Sequence, residues 1–105
     1  LQVISCKEAI DICVMRVEGN TRLIPVKTHK QLDQVFIGDK VYAIGSPHGY
    51  KNSLSDGIVS GKRPMKGTGV HIQFTADISP GSSGGGLFDS NGALIGITTF
   101  LRKDA

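Results

Sequence analysis

Asp77–Thr99 reads DISPGSSGGGLFDSNGALIGITT, and the reading of its Ser79–Gly86 portion decides the fold. Glycine and serine in bulk describe a flexible linker when nothing else constrains them. Here the rich portion is short, Pro80 stiffens its start, and apolar runs follow at once. Gly86–Phe88 and Ala93–Leu101 flank Asp89-Ser90-Asn91-Gly92, and Asn-Gly between apolar runs is a strong hairpin signal. A linker at this place would interrupt a sheet. Gly81-Ser82-Ser83-Gly84-Gly85 also matches the G-x-S-x-G nucleophile elbow, but that elbow needs a helix directly after its serine. The hairpin leaves no room for one. What remains is a nucleophilic serine on a tight loop between β-strands. Glycines around it let backbone N–H groups turn toward a developing oxyanion.

The rest of the chain fits an all-β reading. Short runs rich in β-branched residues alternate with turn signals, and helical periodicity is nearly absent. Strands are predicted at Leu1–Ser5, Ile12–Val17 (buried), Lys40–Gly45, Leu54–Ser60 and Val70–Thr75, with a kink or bulge at Asp56-Gly57. Lys30–Phe36 has room for one helical turn, and Gly61–Gly69 reads as a solvated basic loop. About seven strands with turns every 8–12 residues read as a sandwich or barrel.

Composition narrows the function. The chain has 105 residues, one small domain by length. Mean hydropathy is −0.02, and no apolar run approaches the roughly 18 residues of a spanning helix. It opens at Leu1 inside an apolar stretch, as a piece or processed product of a longer protein would. Twelve of its 14 glycines lie from Gly45 onward, as many tight turns require. Net charge is +3. The one basic cluster, Lys62, Arg63 and Lys66, is a weak phosphate footprint, and with no Trp there is no stacking platform. A nucleic-acid or membrane partner is not expected. Cys6 and Cys13 are too few for a disulfide framework, and Cys13 in its apolar run reads as a buried thiol. Neither cysteine has zinc spacing with His29, His48 or His71. No metal and no cofactor are implied.

Taken together, these residues resemble the trypsin-like serine proteases in their bacterial HtrA/Deg-like form. Asp77–Thr99 looks like the nucleophile region, N-P-G-[NS]-S-G-G-P-L followed by a hairpin and a G-I-N-T strand. DICVMRV (Asp11–Val17) is similar to the segment that begins with the triad aspartate. IGDKVYAIGSPHGY (Ile37–Tyr50) and SLSDGIVSG (Ser53–Gly61) resemble two further segments in the same order. The resemblance implies an antiparallel six-stranded Greek-key β-barrel, the second of two in such a protease. Residues 29–105 would form that barrel. Residues 1–28 would be the N-terminal segment and connector from the preceding barrel, carrying the aspartate.

Carried over by position, Ser83 is the implied nucleophile and Asp11 the triad acid. The backbone N–H groups of Gly81 and Ser83 form the implied oxyanion hole. The strand through Thr98, Thr99 and Phe100 is the implied edge for pairing with the substrate main chain. Asp77, six residues before Ser83, falls at the pocket floor, where a carboxylate would select Lys or Arg, although Leu101 stands where glycine normally keeps the pocket open. The family's histidine lies upstream of the aspartate, and no residue before Asp11 is a histidine. His29, His48 and His71 read as surface or turn residues. The expectation is therefore the C-terminal portion of a serine endopeptidase, inactive alone, whose missing N-terminal barrel supplies the base. Exposed apolar residues from Leu1 to Ile4 would favour a homodimer, and the family suggests a periplasmic or secreted location. The competing readings are a non-catalytic binding or scaffold domain of the same fold, and an unrelated all-β binding module. Two departures stand out: Thr75 replaces a common aspartate, and Gly86, in place of proline or alanine, is expected to loosen the loop.

Overall fold

A computed structural model describes residues 1–19, 22–46, 53–67, 69–78 and 81–99. Its elements are strand β1 (Gln2–Lys7), a 3-10 turn (Glu8–Ile10), β2 (Ile12–Arg16), a second 3-10 turn (Leu32–Gln34), β3 (Lys40–Gly45), β4 (Ser53–Met65), β5 (Gly69–Phe74), β6 (Gly86–Asp89) and β7 (Leu94–Ile97). Contacts divide the chain into two units, Leu1–Pro25 with Arg63–His71, and Val26–Lys62 with Ile72–Ala105.

The first unit holds the antiparallel hairpin of β1 and β2. Cys6 lies directly opposite Cys13 in its register, and the two form a disulfide. This corrects the reading of Cys13 as a buried thiol. It also corrects the reading of a buried strand at Ile12–Val17, since Ile12, Val14 and Met15 are all exposed. A two-stranded ribbon has no layer of its own to cover either face. The apolar run that suggested burial is real, but within this chain it remains open to solvent.

The second unit contains most of a five-stranded sheet in the order β5-β4-β3-β6-β7. Pairing is antiparallel from β4 to β3, β3 to β6 and β6 to β7. Alternation along β3 sends Val41 and Ala43 inward. They meet Val35, Val59, Ala76 and Leu87, with Ile72, Phe74, Ile78 and Ile95 packed against them. The segment around His29 makes a parallel bridge to Leu94. There Thr28 O accepts from Leu94 N, and Lys30 N donates to Leu94 O.

Several expectations change. β4 runs on to Met65, so Lys62 lies on a strand and not in a basic loop. Its ammonium donates to Leu32 O at 2.8 Å and sits 5.7 Å from the Phe36 ring centre. Pairing of β3 with β4 is in register through Asp56 and Gly57, without a bulge. Gly57 is there for closeness, because a Cβ would run into the backbone of Ala76. The single helical turn expected between Lys30 and Phe36 is present at Leu32–Gln34.

The β6–β7 turn is held by Asp89. Its Oδ1 accepts from Asn91 N at 2.9 Å and Ala93 N at 2.8 Å, and its Oδ2 meets Lys30 Nζ at 2.8 Å. Gly92 alone in this turn takes positive φ, +80°, so the residue that suits the hairpin is glycine in the left-handed region. Asp89 is buried. The bond from Lys30 holds its carboxyl below the ordinary range, helped by the Ala93 and Asn91 amides and opposed by burial. A depressed folded pKa contributes stability above the unfolded value of about 3.9, and this is lost as pH falls through the folded pKa. Asp89→Asn is therefore expected to cost about 2 kcal/mol at neutral pH and to flatten the loss of stability below about pH 4. Urea midpoints followed by circular dichroism at several pH values check both effects.

Candidate active site

The loop after β5 is laced to the residue that follows β7. Gly84 N donates to Thr98 O at 2.7 Å, Thr98 N donates to Gly85 O at 2.8 Å, and Gly85 N donates to Ser82 O at 3.2 Å. The buried hydroxyl of Thr98 reaches Ser82 O at 3.0 Å and Gly85 O at 3.3 Å. Two glycines make this winding sterically cheap: Gly81 has φ +96° and Gly84 has φ +93°. Ser82 is buried and Ser83 is exposed. The fold thus fixes the backbone on either side of Ser83 while leaving its side chain open. Among the described residues, the N–H groups of Gly81 and Ser83 donate to no backbone acceptor.

The loop abuts the end of β3. A Cβ on Gly45 would stand 3.1 Å from Ser82 Cβ, and one on Gly85 would overlap the Ile44 carbonyl. Gly86 does not loosen the loop. It starts β6 opposite Ile97, and the Phe88 ring occupies the space beside it, 2.6 Å from where a Cβ would lie. Gly45, Ser82 and the Thr98 hydroxyl are the parts of the site that sequence reasoning missed. Only the apolar-to-glycine end of β3 hinted at the first.

A cavity of about 350 Å³ opens beside this loop, lined in part by Gly45, Ser55, Asp77, Ile78, Ser82 and Thr98. Asp77 is exposed, and its backbone oxygen is pinned by Ser55 Oγ at 2.6 Å. Thr75 closes the segment before it, its hydroxyl accepting from Ile58 N at 2.9 Å. The structure therefore brings together Ser83's loop, Thr98 and Asp77. Thr99 follows Thr98 and is half-buried, while Phe100 and His48 lie outside the described residues, as does Leu101.

Asp11 belongs to the first unit. It ends the Glu8–Ile10 turn in the left-handed region, φ 56° and ψ 42°, and its N–H donates to Glu8 O at 3.2 Å. Asp11 is the one non-glycine residue with positive φ among those described. Aspartate tolerates that conformation better than most residues. His29 is exposed and His71 lies on β5.

Residues 1–97 match the family model for the trypsin-like peptidase domain, and the chain belongs to that family, in its HtrA/Deg-like branch. It is 38% identical to Protease Do-like 1, chloroplastic, of Arabidopsis thaliana, over 95% of this chain and 24% of the relative. It is 36% identical to the serine protease PepD of Mycobacterium tuberculosis, over 94% of this chain and 23% of the relative. Among solved structures, the HtrA-type protease AlgW bound to a decapeptide superposes with a TM-score of 0.83 at 33% identity, covering 98% of this chain and 33% of that one. The chain thus spans about a quarter of the length of these curated relatives.

Proposed function

We propose that this chain is the nucleophile-bearing part of a serine endopeptidase that cleaves peptide bonds through an acyl-enzyme on Ser83. The carrying observation is the loop geometry: Thr98 locks Ser82, Gly84 and Gly85 in place while Ser83 stays exposed beside a cavity. Ser83 Oγ attacks the carbonyl carbon, a histidine takes its proton, and Asp11 orients that histidine. The Gly81 and Ser83 N–H groups receive the oxyanion. Thr98 anchors the loop, and the strand through Thr98, Thr99 and Phe100 offers its edge to the substrate main chain. The histidine comes from the N-terminal barrel of the family, which these 105 residues do not include. In this reading residues 29–105 complete a six-stranded Greek-key barrel and residues 1–28 are the connector. The exposed apolar side chains of β1 and β2 are covered by that first barrel or, in isolation, by a second copy of the chain.

The isolated chain is expected to leave casein intact. Turnover of casein that Ser83→Ala abolishes would overturn the need for an outside base. Asp77 lines the cavity, and a carboxylate turned into it would attract a cationic side chain. The protease containing this chain is expected to cleave after Lys or Arg, and Asp77→Asn to reduce that cleavage about tenfold or more. Cleavage only after Val or Ala in a peptide library would rule this out. An extracytoplasmic location follows the relatives named as chloroplastic or periplasmic, and the Cys6–Cys13 disulfide suits an oxidising compartment.

A further inference from the structure

We propose that the Cys6–Cys13 disulfide is a redox-modifiable clamp that sets the conformation of the loop carrying Asp11. Its functional consequence rests on the reading of Asp11 as the triad acid.

The two cysteines face each other across β1 and β2 and bracket the whole turn from Lys7 to Ile12. Beyond the pairing of Lys7 with Ile12, little else holds that turn. It contains no buried residue, and no side chain caps it at Lys7. Its internal bond is the one from Asp11 N to Glu8 O, at 3.2 Å. The pairing is regular through Ser5–Val14, Cys6–Cys13 and Lys7–Ile12 and shifts register between Val3 and Ser5, so the regular ladder that supports the turn is only three pairs long. Asp11 sits at φ 56°, a left-handed position that is uncommon in non-glycine residues although aspartate adopts it more readily than most, so the closure of the turn bears directly on it. The covalent link at the base is the strongest constraint on the turn.

Both cysteines are exposed in this chain, so a thiolate can reach them here, and alkylation of both in the reduced full-length protease is required as well. The step is exchange with a reducing dithiol. Its thiolate attacks one Sγ, the protein S–S bond breaks, and the departing cysteine thiolate takes a proton. The dithiol's second thiol then displaces the other cysteine from the mixed disulfide. The protein gains two electrons and two protons, and the reductant becomes a disulfide. Reduced, the turn frays and Asp11 leaves its left-handed position. Oxidation restores it, so formation of the bond completes the acid's placement.

The test has two arms. In the first, the 105-residue chain is compared with and without dithiothreitol by iodoacetamide mass labelling and amide hydrogen exchange. Two alkylated cysteines are expected. Exchange in the segment from Glu8 to Asp11 should accelerate about tenfold or more, while Val41, Val59 and Leu87 stay protected. Cys6→Ser with Cys13→Ser should match the reduced chain and ignore dithiothreitol. No alkylation, unchanged exchange after both thiols are freed, or loss of protection throughout the sheet would each overturn the proposal. In the second arm, reduction of the full-length protease should slow fluorophosphonate labelling of Ser83, as Asp11→Asn does. If Asp11→Asn slows labelling and reduction does not, the clamp is overturned. If turn exchange rises but neither change affects labelling, the clamp stands and the acid assignment fails.

Discussion

Replacing Ser83 with alanine is expected to abolish peptide hydrolysis by the protease containing this chain, lowering kcat by roughly a million-fold. The fold should survive. Ser83 is exposed, and the bonds that shape its loop run through Ser82, Gly84, Gly85 and Thr98. Substrate binding should change little, because the cavity wall contains Ser82 and Asp77 and loses nothing. The measurement is single-turnover hydrolysis of a peptide ester beside the thermal midpoint. A large fall in midpoint would mean that Ser83 has a structural role the geometry does not show.

Gly85→Ala is expected to destabilise the domain by about 3 kcal/mol, near the upper end for overpacking. The new methyl group would overlap the Ile44 carbonyl. That obstacle is strand backbone, paired to Leu54 on β4, so it cannot rotate away as a side chain would. Either β3 shifts or the loop withdraws, and withdrawal breaks the bond from Thr98 N to Gly85 O. Activity should fall with stability even where the domain remains folded. Gly96→Ala is the control. It lies opposite Leu87 with nothing within 4 Å of the added carbon, so its effect should stay within about 0.5 kcal/mol. Urea denaturation of both variants makes the comparison.

The build of the loop that carries Ser83 was largely legible in the sequence. The Gly/Ser run could be read as a built loop because strands press on both its sides, and the sheet places those strands where their apolar alternation put them. β3 matches its sequence expectation residue for residue, since one buried face forces a clean period of two. Legibility failed where partners are distant in sequence. Gly57 looked like a bulge, yet its reason is Ala76, and Gly86 looked like slack, yet its reason is Phe88. No local pattern announces a close approach across a sheet. Cys13 failed differently. An apolar run signals burial only if something covers it, and two cysteines seven residues apart carry no pairing signal until the hairpin register sets them opposite each other.

Covalent labelling tests most directly whether Ser83 is an activated nucleophile. The full-length protein is incubated with a fluorophosphonate and its peptides are mapped by mass spectrometry. The geometry predicts a single adduct on Ser83, absent from Ser83→Ala and slowed by Asp11→Asn. An adduct on another serine, or none on folded protein, would contradict it.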